Sequence, residues 1–319
     1  MDTDPPFLSA DFEMPLDAPF TRAAALDEGV TDNRLKRLVA SGHLRRPIRN
    51  VYVASQVPDS LRLRCQMAGL VVPSDAFVCD RTAAWIHRGD DMLAPNEHLS
   101  VPPLSCFRIS GKRALRNDLT DSGERYVRDS DLMEIEGLTL TTPLRTAVDL
   151  GRLQRSRDMK LWGLDAMLGL EVFTDEELLA EVPRFRGRRG VVTLRVLAPL
   201  ADGGSQSFGE SAGRLRWYDA GIPRPRTQVP VDHPNGFYYV DIGLEELFFG
   251  AEYYGEVWHT DEHADDDDAR LEWCTTRRSW QIEVLRKENV FGQRQDADLL
   301  LRQAYQTARK TFGSRTFFI

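Results

Sequence analysis

Apolar residues recur at helical spacing in two blocks between 20 and 42. Thr21 and Thr31 stand where N-caps belong and Gly29 ends the first block, so two short helices are predicted. Residues 43–54 change to strand-like spacing around a turn at 47–50, which predicts a two-stranded ribbon. Further on, helices are predicted at 61–72, 81–87 and 162–168, and strands at 76–79, 98–101, 107–109, 126–128 and 138–141. Thr142 with Pro143 opens another helix as N-cap and first residue, and Thr174 with Glu177 reads as a capping box. The last third predicts a helix from 207, strands at 228–232 and 237–241, and a third strand carrying Glu252. A helix through 270–273, a strand at 280–286 and a closing helix at 296–310 follow. Asn235-Gly236 between apolar runs predicts a hairpin, because both residues tolerate positive φ.

The order of these elements predicts a multidomain α+β protein. A flexible arm (1–18) leads into a winged helix-turn-helix (19–56), then an α+β middle domain (57–200). A Gly-rich linker (201–204) precedes a domain at 205–319 whose helix, three strands, helix, strand order is that of the restriction-endonuclease-like, PD-(D/E)xK core. With 319 residues, 42% hydrophobic and 28% charged, the chain has ordinary globular composition. No apolar run reaches the roughly 18 to 20 residues of a membrane span and the start is acidic and Pro-rich, so no membrane contact and a cytoplasmic location are expected. Cys65, Cys79, Cys106 and Cys274 lack C-x-x-C spacing, which points to buried thiols rather than zinc or disulfides.

Charge adds a local contrast. The formal net charge is −8, yet residues 34–49 hold six Arg or Lys and no acid. Arg34, Lys36 and Arg37 fall on the second helix, and Arg45, Arg46 and Arg49 on the ribbon. These positions would meet phosphates and base edges if the module binds double-stranded DNA. The segment from Arg184 to Gly190, with four arginines and two glycines, reads either as a second phosphate contact or as a solvated loop. Arg145 and Asp149, four residues apart on one helix, read as an ion pair.

Carboxylates supply the other candidate chemistry. Asp241 ends one strand and Glu252 lies eleven residues on, so neighbouring strands can bring them together, with Glu210 contributed from the preceding helix. Such a set suits a hard divalent cation, Mg²⁺ or Mn²⁺, and His259 could serve as acid, base or phosphate donor. The acidic run 261–268 reads as a mobile loop.

Glu210 with Arg214, Gly221-Ile222-Pro223-Arg224-Pro225, Gln228, Val240-Asp241, Glu252-Tyr253, Gly255, His259, Arg270, and Trp280 with Val284-Leu285-Arg286 occur in this order. On them, residues 205–309 resemble the Vsr-like endonuclease-fold domain found behind AbiEi-type antitoxin-like proteins of actinobacteria. Thr21-Arg22-Ala23, Gly42-His43-Leu44 and Val51-Tyr52 resemble the winged helix of that family, and Arg81-Thr82-Ala83-Ala84-Trp85 and Thr142-Pro143-Leu144-Arg145-Thr146 resemble its middle domain. The nuclease-like pattern usually reads Glu-x-Asp-Gly, whereas this chain has Tyr254 where the second acid is expected, with Glu256 as a possible substitute. Losing one carboxylate weakens magnesium binding. The resemblance implies a DNA-binding, antitoxin-like transcriptional regulator whose partner is a nucleotidyltransferase toxin. Two other readings stand beside it: a metal-dependent DNA endonuclease using Asp241, Glu252, Glu210 and His259, and an inactive nuclease fold serving as a protein-binding platform.

Overall fold

The computed structural model describes residues 7–92, 103–109, 120–121, 124–255 and 269–313. Within them the chain is a mixed α+β protein that divides into two compact units, 1–150 and 151–319. The strand expected at 98–101, His259, Glu256 and the acidic run 261–268 lie outside the described residues.

Unit 1 opens with strand β1 (Phe20–Thr21), helices α1 (Arg22–Asp27) and α2 (Asp32–Ala40), and strands β2 (Leu44–Ile48) and β3 (Val51–Ala54). The Thr21 and Thr31 hydroxyls accept from the backbone N–H of Ala24 (3.1 Å) and Arg34 (3.3 Å), which satisfies two of the donors every helix start leaves open. Gly29, at φ +85°, takes the left-handed turn that ends α1. The three strands form a sheet in the order β1, β3, β2. Phe20, Ala25, Val30, Leu35, Leu44 and Tyr52 make its core, joined by Phe12 and Met14. The described part of the expected arm, 7–18, is therefore packed rather than flexible, because two of its apolar side chains are buried.

Unit 1 continues through α3 (Leu61–Gly69), β4 (Phe77–Val78), α4 (Asp80–Arg88), β5 (Leu104–Ile109), β6 (Thr120–Asp121), β7 (Glu124–Arg125), β8 (Leu132–Ile135), β9 (Leu138–Thr141) and α5 (Pro143–Leu153). Strands β4 to β9 form one sheet in the order β6, β5, β4, β9, β8, with β7 also paired to β5. Residues 126–128, expected as a strand, are irregular, and the unexpected strand β8 hairpins onto β9. Both residues of that turn, Glu136 (φ +52°) and Gly137 (φ +74°), take the positive φ that matches strand twist. Arg145 and Asp149 do pair (2.8 Å), inside a buried network. Arg145 also reaches Asp131 (2.6 Å), and Arg125 bridges Asp80 (2.5 Å) and Asp149 (3.3 Å). Three acids and two arginines hold strands and helices together here, so a structural role accounts for both residues.

Unit 2 holds α6 (Arg157–Leu168), α7 (Asp175–Glu181), α8 (Val191–Leu197), α9 (Phe208–Asp219), strands β10 (Arg226–His233), β11 (Gly236–Leu244), β12 (Phe249–Tyr254) and β13 (Gln281–Arg286), and the closing helix Ala297–Phe312. The capping box is formed in both directions: Glu177 N–H donates to the Thr174 hydroxyl (3.2 Å) and Thr174 N–H to the Glu177 carboxylate (2.8 Å). The sheet runs β10, β11, β12, β13; the first three are antiparallel and β13 lies parallel to β12. His233 pairs with Gly236, so Pro234 and Asn235 are the central turn residues. The expected Asn-Gly turn is shifted by one position, since proline's fixed φ suits the first central place. Ala212 and Trp217 of α9 and Leu301 and Ala304 of the closing helix pack on Ile242, Phe249, Ala251 and Leu285.

The chain divides after Leu150 and not at 201–204, and buried chemistry explains the difference. Asp165 of α6 and Arg214 of α9 pair at 2.5 Å with both side chains wholly inside. Asp202 N–H donates to the same Asp165 (2.9 Å), and Arg214 donates to the Ser205 hydroxyl (3.2 Å) and to the Leu200 carbonyl. Residues expected to form a linker are thus partners of a buried ion pair, and α6 belongs with α9.

Candidate functional site

The acids named from the sequence converge at one end of the β11 and β12 pair. Ile242 pairs with Ala251, so Asp241 and Glu252 flank the same rung. The Asp241 carboxylate accepts the Tyr253 N–H at 2.8 Å, which sets it beside Glu252. Glu210 arrives from the first turn of α9, where the Ser207 hydroxyl caps its N–H (3.1 Å). Gly209 lets the helix come this close: a β-carbon there would strike the Tyr253 ring. One Glu210 oxygen accepts from Gln206 N–H (2.8 Å) and from the Gln228 amide (3.3 Å).

Burial raises the Asp241 carboxyl well above the usual carboxylate range, and the negative charges of Glu210 and Glu252 add to it. The Tyr253 N–H and the Arg270 guanidinium pull the other way without cancelling the rise. Glu252 is nearly sealed, at 1% exposure, and Arg270 donates to its carboxylate at 2.9 Å. Cys274, buried close by, is pushed up to about 11 by burial and by the Glu252 charge. Tyr254, which replaces the expected acid, lies under the Arg286 guanidinium at 5.8 Å from its ring centroid.

Magnesium requires near-octahedral oxygen donors at about 2.1 Å. Among the described residues no group of three or more His, Cys, Asp or Glu is gathered closely enough to hold a metal ion. Glu252 carries a guanidinium, and Asp241 and Glu210 each commit an oxygen to N–H donors. Among the described residues the three acids thus present no ready-made magnesium or manganese centre, and Glu252 is neutralised by Arg270. What they form is a charge cluster in which Asp241 feels the charges of Glu210, Glu252 and Arg270.

The basic candidates of unit 1 separate into two sets. Arg34 is pinned, bonded to Glu13 and lying over the Phe12 ring at 5.4 Å, and Arg45 donates to the Val57 carbonyl at 2.5 Å. Lys36 and Arg37 on α2, and Arg46 and Arg49 on and just after β2, are exposed. None of these four makes an ion pair among the described residues.

Three contributors lie outside the sequence-named set. In the sequence Arg270 and Gln228 belong to the site only through the resemblance, and Gly209 through no motif at all. The available signal for Gly209 was its place directly before a helical acid, where a bulky neighbour would hold the helix off the sheet.

No protein-family model matches the chain. Two proteins of Mycobacterium tuberculosis are similar to it: Uncharacterized protein MT2308 of strain CDC 1551 / Oshkosh and Uncharacterized protein Rv2248 of strain ATCC 25618 / H37Rv. Each is 32% identical over 231 residues, covering 72% of this chain and 80% of the relative. At that identity and coverage, the chain belongs to the same family as these two mycobacterial proteins.

Proposed function

We propose that the chain is a DNA-binding, antitoxin-like transcriptional regulator whose front module is a winged helix. One observation carries this reading: Lys36, Arg37, Arg46 and Arg49 are exposed on consecutive elements and make no ion pair among the described residues, in a protein that is acidic overall. A helix, a short turn, a helix and a ribbon, with a small strand paired to the ribbon's second strand, is the arrangement that sets a helix into the major groove and a wing on the flanking backbone. Phosphate contacts through four such side chains would supply affinity, and base contacts from α2 the sequence choice. Under this reading the protein works in the cytoplasm, and its partner is a nucleotidyltransferase toxin, as the resemblance implies.

The nuclease-like half then serves structure or partner binding rather than cleavage, which the poor fit of its acids to a metal supports. A second reading, a metal-dependent DNA endonuclease, is favoured by the convergence of Asp241, Glu252 and Glu210. A gel shift with the DNA upstream of its own reading frame tests the first reading. A retarded complex that weakens on Arg46→Gln with Arg49→Gln is expected, and no complex even at low salt, where phosphate contacts are strongest, would sink it. Plasmid cleavage in Mg²⁺ or Mn²⁺ that disappears with Asp241→Ala would favour the endonuclease instead.

A further inference from the structure

We infer that the loop at residues 186–189, with Arg195 beside it on α8, is a second contact for the phosphate backbone of duplex DNA; this rests on the DNA-binding reading above. Unit 2 carries many arginines, and most are engaged. Arg157, Arg216, Arg226, Arg278 and Arg294 all pair with acids. Arg186, Arg188, Arg189 and Arg195 are exposed, and among the described residues none of them pairs with an acid. Four unneutralised guanidiniums within ten residues make a local positive potential that the net charge of −8 does not foretell.

A merely solvated basic loop has no need of a fixed backbone, and this one is fixed. The Arg152 guanidinium lies over the Phe185 ring at 4.7 Å and donates to the Arg189 carbonyl at 2.8 Å. Arg184 also lies over Phe185, at 5.0 Å, and is tied to Glu181 at 2.8 Å. Arg188 N–H donates to the Phe185 carbonyl (2.9 Å) and Val191 N–H to the Arg188 carbonyl (3.3 Å). Gly190, at φ +79°, presses so near Arg152 that a β-carbon would collide with its carbonyl oxygen. Two inner arginines therefore hold the loop while the outer ones face solvent, so little side-chain-bearing backbone needs ordering on binding.

The chemistry selects a duplex backbone. Guanidinium forks match phosphate oxygens, and binding to them is independent of base sequence. Single strands are held by bases stacked on exposed aromatic rings, and the aromatic residue of this loop, Phe185, is buried under arginines.

The test is fluorescence anisotropy of the full-length protein on a labelled random-sequence duplex across a salt series. Arg186→Gln, Arg188→Gln and Arg189→Gln combined alter exposed side chains only and leave the backbone bonds in place. The triple variant is expected to raise Kd about tenfold at about 0.1 M salt and to flatten the slope of log K against log salt by about 2 to 3, at roughly 0.9 per lost contact. Arg157→Gln with Arg226→Gln, which removes paired arginines, should leave that slope unchanged. A triple variant indistinguishable from wild type, while Arg46→Gln with Arg49→Gln still weakens binding, overturns the loop contact and spares the winged-helix reading. Wild-type protein that binds no duplex at low salt overturns both.

Discussion

Unit 2 contains two clusters of buried charge that differ in balance. Around Asp165 and Arg214 there is one acid for one base, and the surplus hydrogen-bonding capacity is spent: Ser211 donates to Asp165 at 2.6 Å, Asp202 N–H at 2.9 Å, and Arg214 turns its other donors to Ser205 and Leu200. Around Asp241 there are three acids for one guanidinium, and the Asp241 proton is held accordingly. Burial also raises Asp165, against the pull of Arg214, so even a matched pair is expensive to enclose. The difference teaches where to look for function. A balanced pair explains itself as the pin between α6 and α9, whereas an unbalanced set lowers stability with no structural return and is the place to test for binding or positioning.

The largest expected effect comes from breaking the balanced cluster. Arg214→Ala would leave Asp165 enclosed without its counter-ion, and loss of one member of such a pair costs about 3 to 5 kcal/mol. Urea unfolding of the variant should show an unfolding free energy lowered by that amount, with the midpoint shifted in proportion. Loss below about 1 kcal/mol would mean that water reaches Asp165 and that the two clusters do not differ in kind.

The same contrast marks how far the sequence could be read. Helix starts at Thr21, Thr31 and Thr174 were legible because a cap and the N–H it serves lie three residues apart. Convergence of Asp241 and Glu252 was legible for a similar reason, since a short antiparallel connection sets residues equidistant from it opposite each other, although Asp241 lies inside β11 and not, as expected, at its end. The Asp165 and Arg214 pair spans 49 positions, and no periodicity announces it, so the Gly-rich composition at 201–204 suggests a boundary where the chain has none and the division after 150 stays hidden. Strand β8 was missed because its turn puts Glu136 at positive φ, a conformation that Glu does not advertise. Arg34 and Arg45 looked available for DNA because the partners that occupy them, Glu13 and the Val57 carbonyl, lie in segments without a periodic signal.

Removing charge from the unbalanced cluster should act in the opposite direction. A carboxyl whose folded-state pKa lies above its unfolded value of about 3.9 binds its proton more tightly when folded. Its contribution to stability is complete below about pH 4 and is lost as pH rises through the raised value. Asp241→Asn keeps an oxygen for the Tyr253 N–H and deletes the charge that Glu210 and Glu252 oppose. At neutral pH the variant should be more stable than wild type by about 1 kcal/mol, the usual gain from relieving a functional charge set. The gain should vanish in unfolding curves recorded near pH 4. A variant no more stable than wild type at pH 8 would show that neither burial nor the neighbouring acids raise the Asp241 carboxyl in the folded protein.

The smallest effect is expected where charge balance is met without burial. Arg157 and Asp219 face each other through two bonds, 2.9 and 3.2 Å, one more than joins Arg214 to Asp165, but their side chains are 52% and 31% exposed. Water already solvates both ions, and Asp219 retains Arg216 at 3.6 Å if Arg157 is removed. Arg157→Gln should therefore cost no more than about 0.5 kcal/mol, and raising the salt concentration should shrink even that difference. Thermal melts of wild type and variant at low and high salt measure it. A cost approaching that of Arg214→Ala would mean that pairing alone, and not enclosure, separates the clusters, and the reading of Asp241 as an unbalanced buried set would lose its comparison.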